Sequence, residues 1–161
     1  MTESSFQIVP VVSALFGAVL GFFSAIAKSW FERRSRVAAH KKALSAEVKL
    51  CVSRANTYRH PPTAEDDVKS PAYRCPTDSF VAAFPWLLQD GALPSSDVTA
   101  IQEFYAEVAD FNRCLDYCHA ARYYQHPGES DDARLNQEYI RAQTKAERVL
   151  EKKDAVVGVL K

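Results

Sequence analysis

SSFQIVPVVSALFGAVLGFFSAIAKSWFERRSR, residues Ser4 to Arg36, decides the architecture of this chain. Between Glu3 and Lys28 lie 24 consecutive residues without a charge, and from Phe6 to Ala27 nearly all are apolar or small. As a helix at 1.5 Å per residue that run is about 33 Å long, which covers the roughly 30 Å of hydrocarbon in a bilayer. A soluble core helix of this length carries a polar face, and this one has none. Pro10 falls near the start of the run, where a missing amide costs little.

A cleaved export signal is the competing reading, since Ala25 and Ala27 form an A-x-A pattern. Against it, the leading MTESS has a glutamate and no lysine or arginine, and the apolar run exceeds the 7 to about 15 residues of a cleaved signal. The positive charge lies on the other flank. Lys28, Arg33, Arg34, Arg36, Lys41 and Lys42 face a single acid, Glu32. Positive flanks stay in the cytoplasm. The sequence therefore predicts a retained transmembrane helix over 6–27, a short extracytoplasmic tail over 1–5, a basic juxtamembrane helix over 28–42 and a cytosolic helical domain over 43–161. Trp30 and the basic side chains Lys28, Arg33, Arg34 and Arg36 then fall at headgroup depth. Ser13, Gly17, Gly21 and Ala25 recur every four residues, so they share one stripe of the span. Small residues so placed let two membrane helices approach closely, which makes the stripe a candidate packing face for a homo-oligomer.

The formal charge of the chain is zero but unevenly placed. Residues 28–60 carry nine basic and two acidic groups, whereas residues 61–161 carry eleven basic and seventeen acidic groups. Basic residues beside a span are attracted to anionic lipid by about 1 kcal/mol each near the surface. The lipid bilayer is thus the partner this block fits, and a nucleic-acid patch ranks below it because membrane proximity already explains the charge.

Beyond the span the periodicity is helical nearly throughout. Leu44, Val48, Cys51, Ala55 and Tyr58 form one apolar seam with spacings of three and four. No glycine or proline separates them from the span, so one helix is expected from about Val11 to Tyr58, ending at the HPP of His60 to Pro62. A proline-rich, acidic loop is expected over about 60–76. Thr77 is placed to cap a short, very apolar helix through Phe84, interrupted by Pro85 and closed by Gly91. Ser95 or Ser96 is placed to cap a longer helix whose seam is Ile101, Phe104, Val108, Phe111, Leu115 and Cys118, ending at the HPG of His126 to Gly128. A last helix begins near Ser130 or Asp131, with Leu135, Tyr139, Ala142, Ala146 and Val149 on its seam. The expected fold is all-α: a membrane helix continuous with a cytosolic helix, an antiparallel helical hairpin and a short helical cap.

Four cysteines invite a metal or haem reading. Haem attachment wants C-x-x-C-H, whereas Cys114 and Cys118 lie in C-x-x-x-C-H. Zinc would need Cys75, His119 or His60 to complete a set started by Cys114 and Cys118. Cys118 lies on the apolar seam, which favours a buried small hydrophobe. A reduced compartment argues against a disulfide framework. His60 and His126 precede prolines at helix ends, where capping accounts for them. The chain has no G-x-S-x-G, phosphate-binding glycine loop or H-E-x-x-H, so the reading is non-enzymatic and calls for no cofactor and no metal.

The pattern TDSF...LLQDGALPSSDVTAIQEFYAEVADFNRCLD, following a membrane helix and a basic stretch, resembles small uncharacterised bacterial membrane proteins with one N-terminal span. The resemblance covers most of the chain and implies the same layout: a bacterial inner-membrane location, N-terminus outside, domain in the cytoplasm. No functional residue carries over. The function that follows is a membrane-anchored protein whose cytosolic domain binds itself or an unidentified protein partner. The alternative is a membrane-acting effector, a toxin or defence component working through oligomerised spans, and the lack of a polar face to line a pore counts against it.

Overall fold

The computed structural model describes residues 8–59, 74–123 and 132–160, with side chains over 12–59, 74–120 and 137–160. Every regular element among them is helical: α1 (Ile8–Arg59), α2 (Asp78–Gln89), α3 (Ser95–Tyr123) and α4 (Asp132–Val159). The expected HPP and HPG stops, the loop over 60–73 and the 1–5 tail lie outside the described residues, as do His60 and His126.

α1 runs for 52 residues. Its start at Ile8 puts Pro10 in the first turn, where the amide has no intrahelical partner to lose. The chain forms two compact units, Met1–Ala39 and His40–Lys161. The described part of the first, from Ile8 on, is helix whose described side chains are almost all exposed. The second has the core.

That core draws on all four helices. Leu44, Val48, Cys51 and Ala55 of α1 are fully buried, as are Ile101, Phe104, Val108 and Phe111 of α3, Leu87 of α2, and Ala142, Ala146, Val149 and Val156 of α4. Leu115 and Cys118 are buried as well. Each large side chain removed from water contributes about 1.5–3 kcal/mol. Aromatic rings join the elements: Phe80 of α2 stacks on Tyr105 of α3 with centroids 4.0 Å apart, and Tyr58 of α1 meets Phe111 of α3 edge to face at 5.5 Å. His40 of α1 lies against Trp86 of α2, ring centroids 4.7 Å apart.

Three local expectations are corrected. Pro85 does not interrupt α2, which continues through it to Gln89. The ring leaves the carbonyl of Val81 without its helical donor, but Val81 and Pro85 both lie on the exposed face, where water can replace it. Thr77 holds the N-cap position of α2 without a side-chain cap bond. Its carbonyl accepts from Val81 N–H at 3.0 Å, while the orphan amides of the first turn are taken by another helix. At α3, neither Ser95 nor Ser96 precedes the helix. The carbonyl of Pro94 accepts from the amides of Asp97 and Val98, so the helix starts at Ser95 and Ser96 lies inside the first turn, donating to Asp97 Oδ1 at 3.1 Å. Gly91, at φ 63°, closes α2: its amide donates to Leu88 O and that of Ala92 to Leu87 O, both at 3.0 Å. This is the left-handed helix stop at which glycine avoids a Cβ clash.

Candidate functional site

Two places among the described residues need explaining: an apolar helix whose side chains are exposed, and a polar cluster that is buried.

The first is the Met1–Ala39 unit. Leu15, Phe16, Leu20, Phe22, Phe23, Ile26 and Phe31 are exposed, Phe16 by 67% and Leu20 by 65%. A soluble monomer seldom leaves so continuous an apolar surface uncovered. This is the one helix among the described residues long and apolar enough to cross a membrane, and no part of its apolar window is buried. The stripe of Ser13, Gly17, Gly21 and Ala25 is exposed along it. A Cβ added at Gly17 or Gly21 would meet nothing within 4 Å.

Past the apolar run the basic block is exposed. Glu32 is flanked by Lys28 and Arg36 one turn either side, each 3.9 Å away, so the only acid of residues 28–42 is already paired. Arg34 lies over the Trp30 ring, 5.4 Å from its centroid. Such a pair joins an amphipathic ring to a charged head, the combination favoured at membrane–water interfaces. Arg33 is exposed on the same stretch.

The second place lies within the His40–Lys161 unit and centres on Glu47, only 6% exposed. Its Oε2 accepts from Ser79 N–H at 2.6 Å, and its Oε1 accepts from Phe80 N–H at 3.1 Å and from the Tyr105 hydroxyl at 2.7 Å. Ser79 and Phe80 are the second and third residues of α2. A carboxyl group of α1 thus caps α2 from outside, at the end where the helix dipole favours negative charge. Burial, then the hydrogen bond to Glu47 and the charge beside it, pushes the Tyr105 phenol well above its ordinary value, so Tyr105 stays a donor.

Next to it, Asn112 of α3, 5% exposed, grips the backbone of Cys75: the Cys75 amide donates to Oδ1 at 2.7 Å and Nδ2 donates to the Cys75 carbonyl at 2.9 Å. These two bonds satisfy a non-helical residue that would otherwise bury both backbone groups unpaired. Cys51 Sγ donates to Pro76 O at 3.4 Å, and Cys75 Sγ to Cys51 O at 3.8 Å. α1, α3 and the lead-in to α2 are therefore tied by Glu47, Tyr105, Asn112 and two thiols.

Spacing shows how Glu47 could have been found. It lies three residues after Leu44 and one before Val48, on the apolar face, and Asn112 follows Val108 by four. A polar side chain on a seam must be bonded, although the sequence does not say to what.

Cys114 and Cys118 lie elsewhere, on α3. Burial and the nearby Glu138 raise both thiols, Cys118 to about 11. No cluster of three or more His, Cys, Asp or Glu side chains suited to a metal ion occurs among the described residues. Between α3 and α4, Lys145 Nζ lies 2.6 Å from Asp110 and 3.5 Å from Glu107, and Lys152 Nζ 2.6 Å from Glu103. The first contact holds the Asp110 carboxyl below, and the Lys145 ammonium above, their ordinary ranges. These groups are partly exposed, so the pairs contribute little stability each and chiefly set register.

Among protein-family models, curated proteins and solved structures, none matches this chain.

Proposed function

We propose that this is a single-pass protein of the bacterial inner membrane, with its N-terminus outside and a cytosolic helical domain that binds a protein partner or a second copy of itself. The observation that carries the reading is the uncovered apolar surface of α1 from Val12 to Phe31, adjoining an exposed basic stretch. Lipid is the solvent such a surface fits, and the positive-inside bias supports the basic flank as the cytoplasmic side. Anionic headgroups then meet Lys28, Arg33, Arg34 and Arg36.

Within the domain the proposed architecture is an antiparallel α3/α4 hairpin with α2 as its cap. The ion pairs support it. Moving seven residues forward from Glu103 to Asp110 on α3 moves seven residues back from Lys152 to Lys145 on α4.

Flotation of untagged full-length protein on a density gradient tests the membrane reading. The expected result is recovery with the membrane fraction that survives an alkaline wash and is abolished by detergent. Recovery in the soluble fraction without detergent would refute it. Self-association through the stripe has its own test. Because Gly17 and Gly21 have open space around them, Gly17→Leu with Gly21→Leu should leave the single helix and its insertion intact. A reporter of membrane-helix association should then lose most of its signal, while Leu15→Ala with Leu20→Ala should lose little. Equal signals from wild type and the leucine variant would show that the stripe only faces lipid.

A further inference from the structure

We propose that Cys51 and Cys75 form a redox site, a dithiol that a disulfide oxidant of the glutathione class converts to an intramolecular disulfide, fastening the lead-in of α2 to α1. The two residues are 24 positions apart in sequence, yet the Cys75 sulfur lies 3.8 Å from the Cys51 carbonyl and the Cys51 sulfur 3.4 Å from the carbonyl of Pro76, the residue after Cys75. Each thiol is thus packed against the backbone beside the other. Cys51 is fully buried and Cys75 is 3% exposed. Asn112 holds both backbone groups of Cys75, so its sulfur is presented to Cys51 in a fixed direction, and Asn112 is a positioning residue.

The pair is asymmetric. The neighbouring Cys51 and then Arg54 lower the Cys75 thiol against its burial, whereas the neighbouring Cys75 and then burial raise Cys51. Cys75 is also the one carried by a non-helical stretch, Arg74–Thr77, while Cys51 is fixed within α1. Local opening releases short irregular stretches before helices, so Cys75 meets the oxidant first. Its thiolate attacks one sulfur of oxidised glutathione, forming a mixed disulfide and releasing one glutathione thiolate. On closure Cys51 gives up its proton and attacks the Cys75 sulfur, expelling the second. One disulfide forms and one is reduced, and the two thiol protons leave with two molecules of glutathione. Cys114 and Cys118 serve as an internal comparison, since burial raises both and both lie on the one helix α3. The proposal does not depend on the membrane reading: it concerns contacts within His40–Lys161 alone.

The test uses the full chain, purified in detergent under reducing conditions and equilibrated with mixtures of oxidised and reduced glutathione. Acid quenching, alkylation in denaturant and peptide mapping then locate the disulfide. The expected result is a loss of about 2 Da on a linked peptide pair carrying Cys51 and Cys75, reversed by reductant. Cys51→Ser should instead accumulate a glutathione adduct at Cys75. The oxidised protein should unfold at a higher temperature than the reduced one. Full alkylation of Cys51 and Cys75 across the whole series would overturn the site, as would a disulfide confined to Cys114 and Cys118. Equal unfolding temperatures for both forms would overturn the fastening. The wild-type peptide map decides even where a serine variant does not fold.

Discussion

Replacing Glu47 with alanine is expected to lower the stability of the helical domain by about 3 kcal/mol, the joint cost of losing an N-terminal cap and leaving a buried hydroxyl unpaired. For a domain of this size the unfolding midpoint should fall by on the order of 10 °C. Three donors converge on the one carboxyl: the amides of Ser79 and Phe80 and the hydroxyl of Tyr105. The amides lie in part-buried contacts, and water can replace some of what they lose. The Tyr105 contact is buried, and burial also keeps that phenol protonated, so its unpaired O–H carries the larger share. Glu47→Gln keeps one carbonyl acceptor but removes the charge from the start of α2, and about half the loss is expected. Tyr105→Phe alone should cost about 1 kcal/mol. Combined with Glu47→Ala it should add less than that, because the two side chains share one bond. Thermal unfolding of the full chain in detergent, followed by helical circular dichroism, supplies all four numbers. A Glu47→Ala midpoint within a degree or two of wild type would mean that water replaces the carboxyl without loss.

Helices and polar contacts differ in how much of them can be read from a sequence. An apolar seam at spacings of three and four is a property of one segment, so four helices, the long N-terminal one included, are legible from neighbouring residues alone. The stop at Gly91 is equally local, since its left-handed turn is a demand on one residue. Capping misleads because it need not be local. Thr77 precedes the α2 run in the position a side-chain cap would take, but the donors go to Glu47, 32 and 33 residues earlier. With those amides already bonded, Thr77 has no capping bond to make. Pro85 misleads for a different reason. A proline's effect depends on whether the carbonyl it orphans is covered, which the sequence around it does not contain. The thiol pair was hidden in the same way: Cys51 reads as one more small hydrophobe of its seam and Cys75 as a loop residue, and only folding brings each thiol against the backbone beside the other.

The polar cluster also decides how α2 is held. A buried carboxyl and a buried amide stabilise less than well-packed apolar groups of the same volume would, but they admit only one arrangement of their donors. Glu47 and Asn112 each hold backbone, the first at Ser79 and Phe80, the second at Cys75, and Glu47 holds the Tyr105 hydroxyl as well. Their combined effect is to set the position and direction of α2, whose outer face of Val81, Ala82, Pro85 and Leu88 is exposed.

The second large effect concerns α1. Val19→Asp with Leu20→Asp is expected to release the protein from membranes. Both residues lie near the middle of the uncharged run, and both are exposed in the single chain, so neither carboxyl would find a partner inside the protein. An aspartate at the centre of a membrane helix costs about 3 kcal/mol on insertion. Two together cost about 6 kcal/mol, a factor on the order of ten thousand in partitioning. Val19→Leu with Leu20→Val keeps the apolar surface and should float as wild type does. The core of His40–Lys161 is made by residues of that unit, so the released aspartate variant should keep the unfolding midpoint of its helical domain. Density-gradient flotation separates true membrane association from sedimenting aggregate, which a simple pellet does not. Equal flotation of the aspartate variant and wild type would mean that α1 does not lie in hydrocarbon, and the uncovered surface from Val12 to Phe31 would then require a protein partner instead.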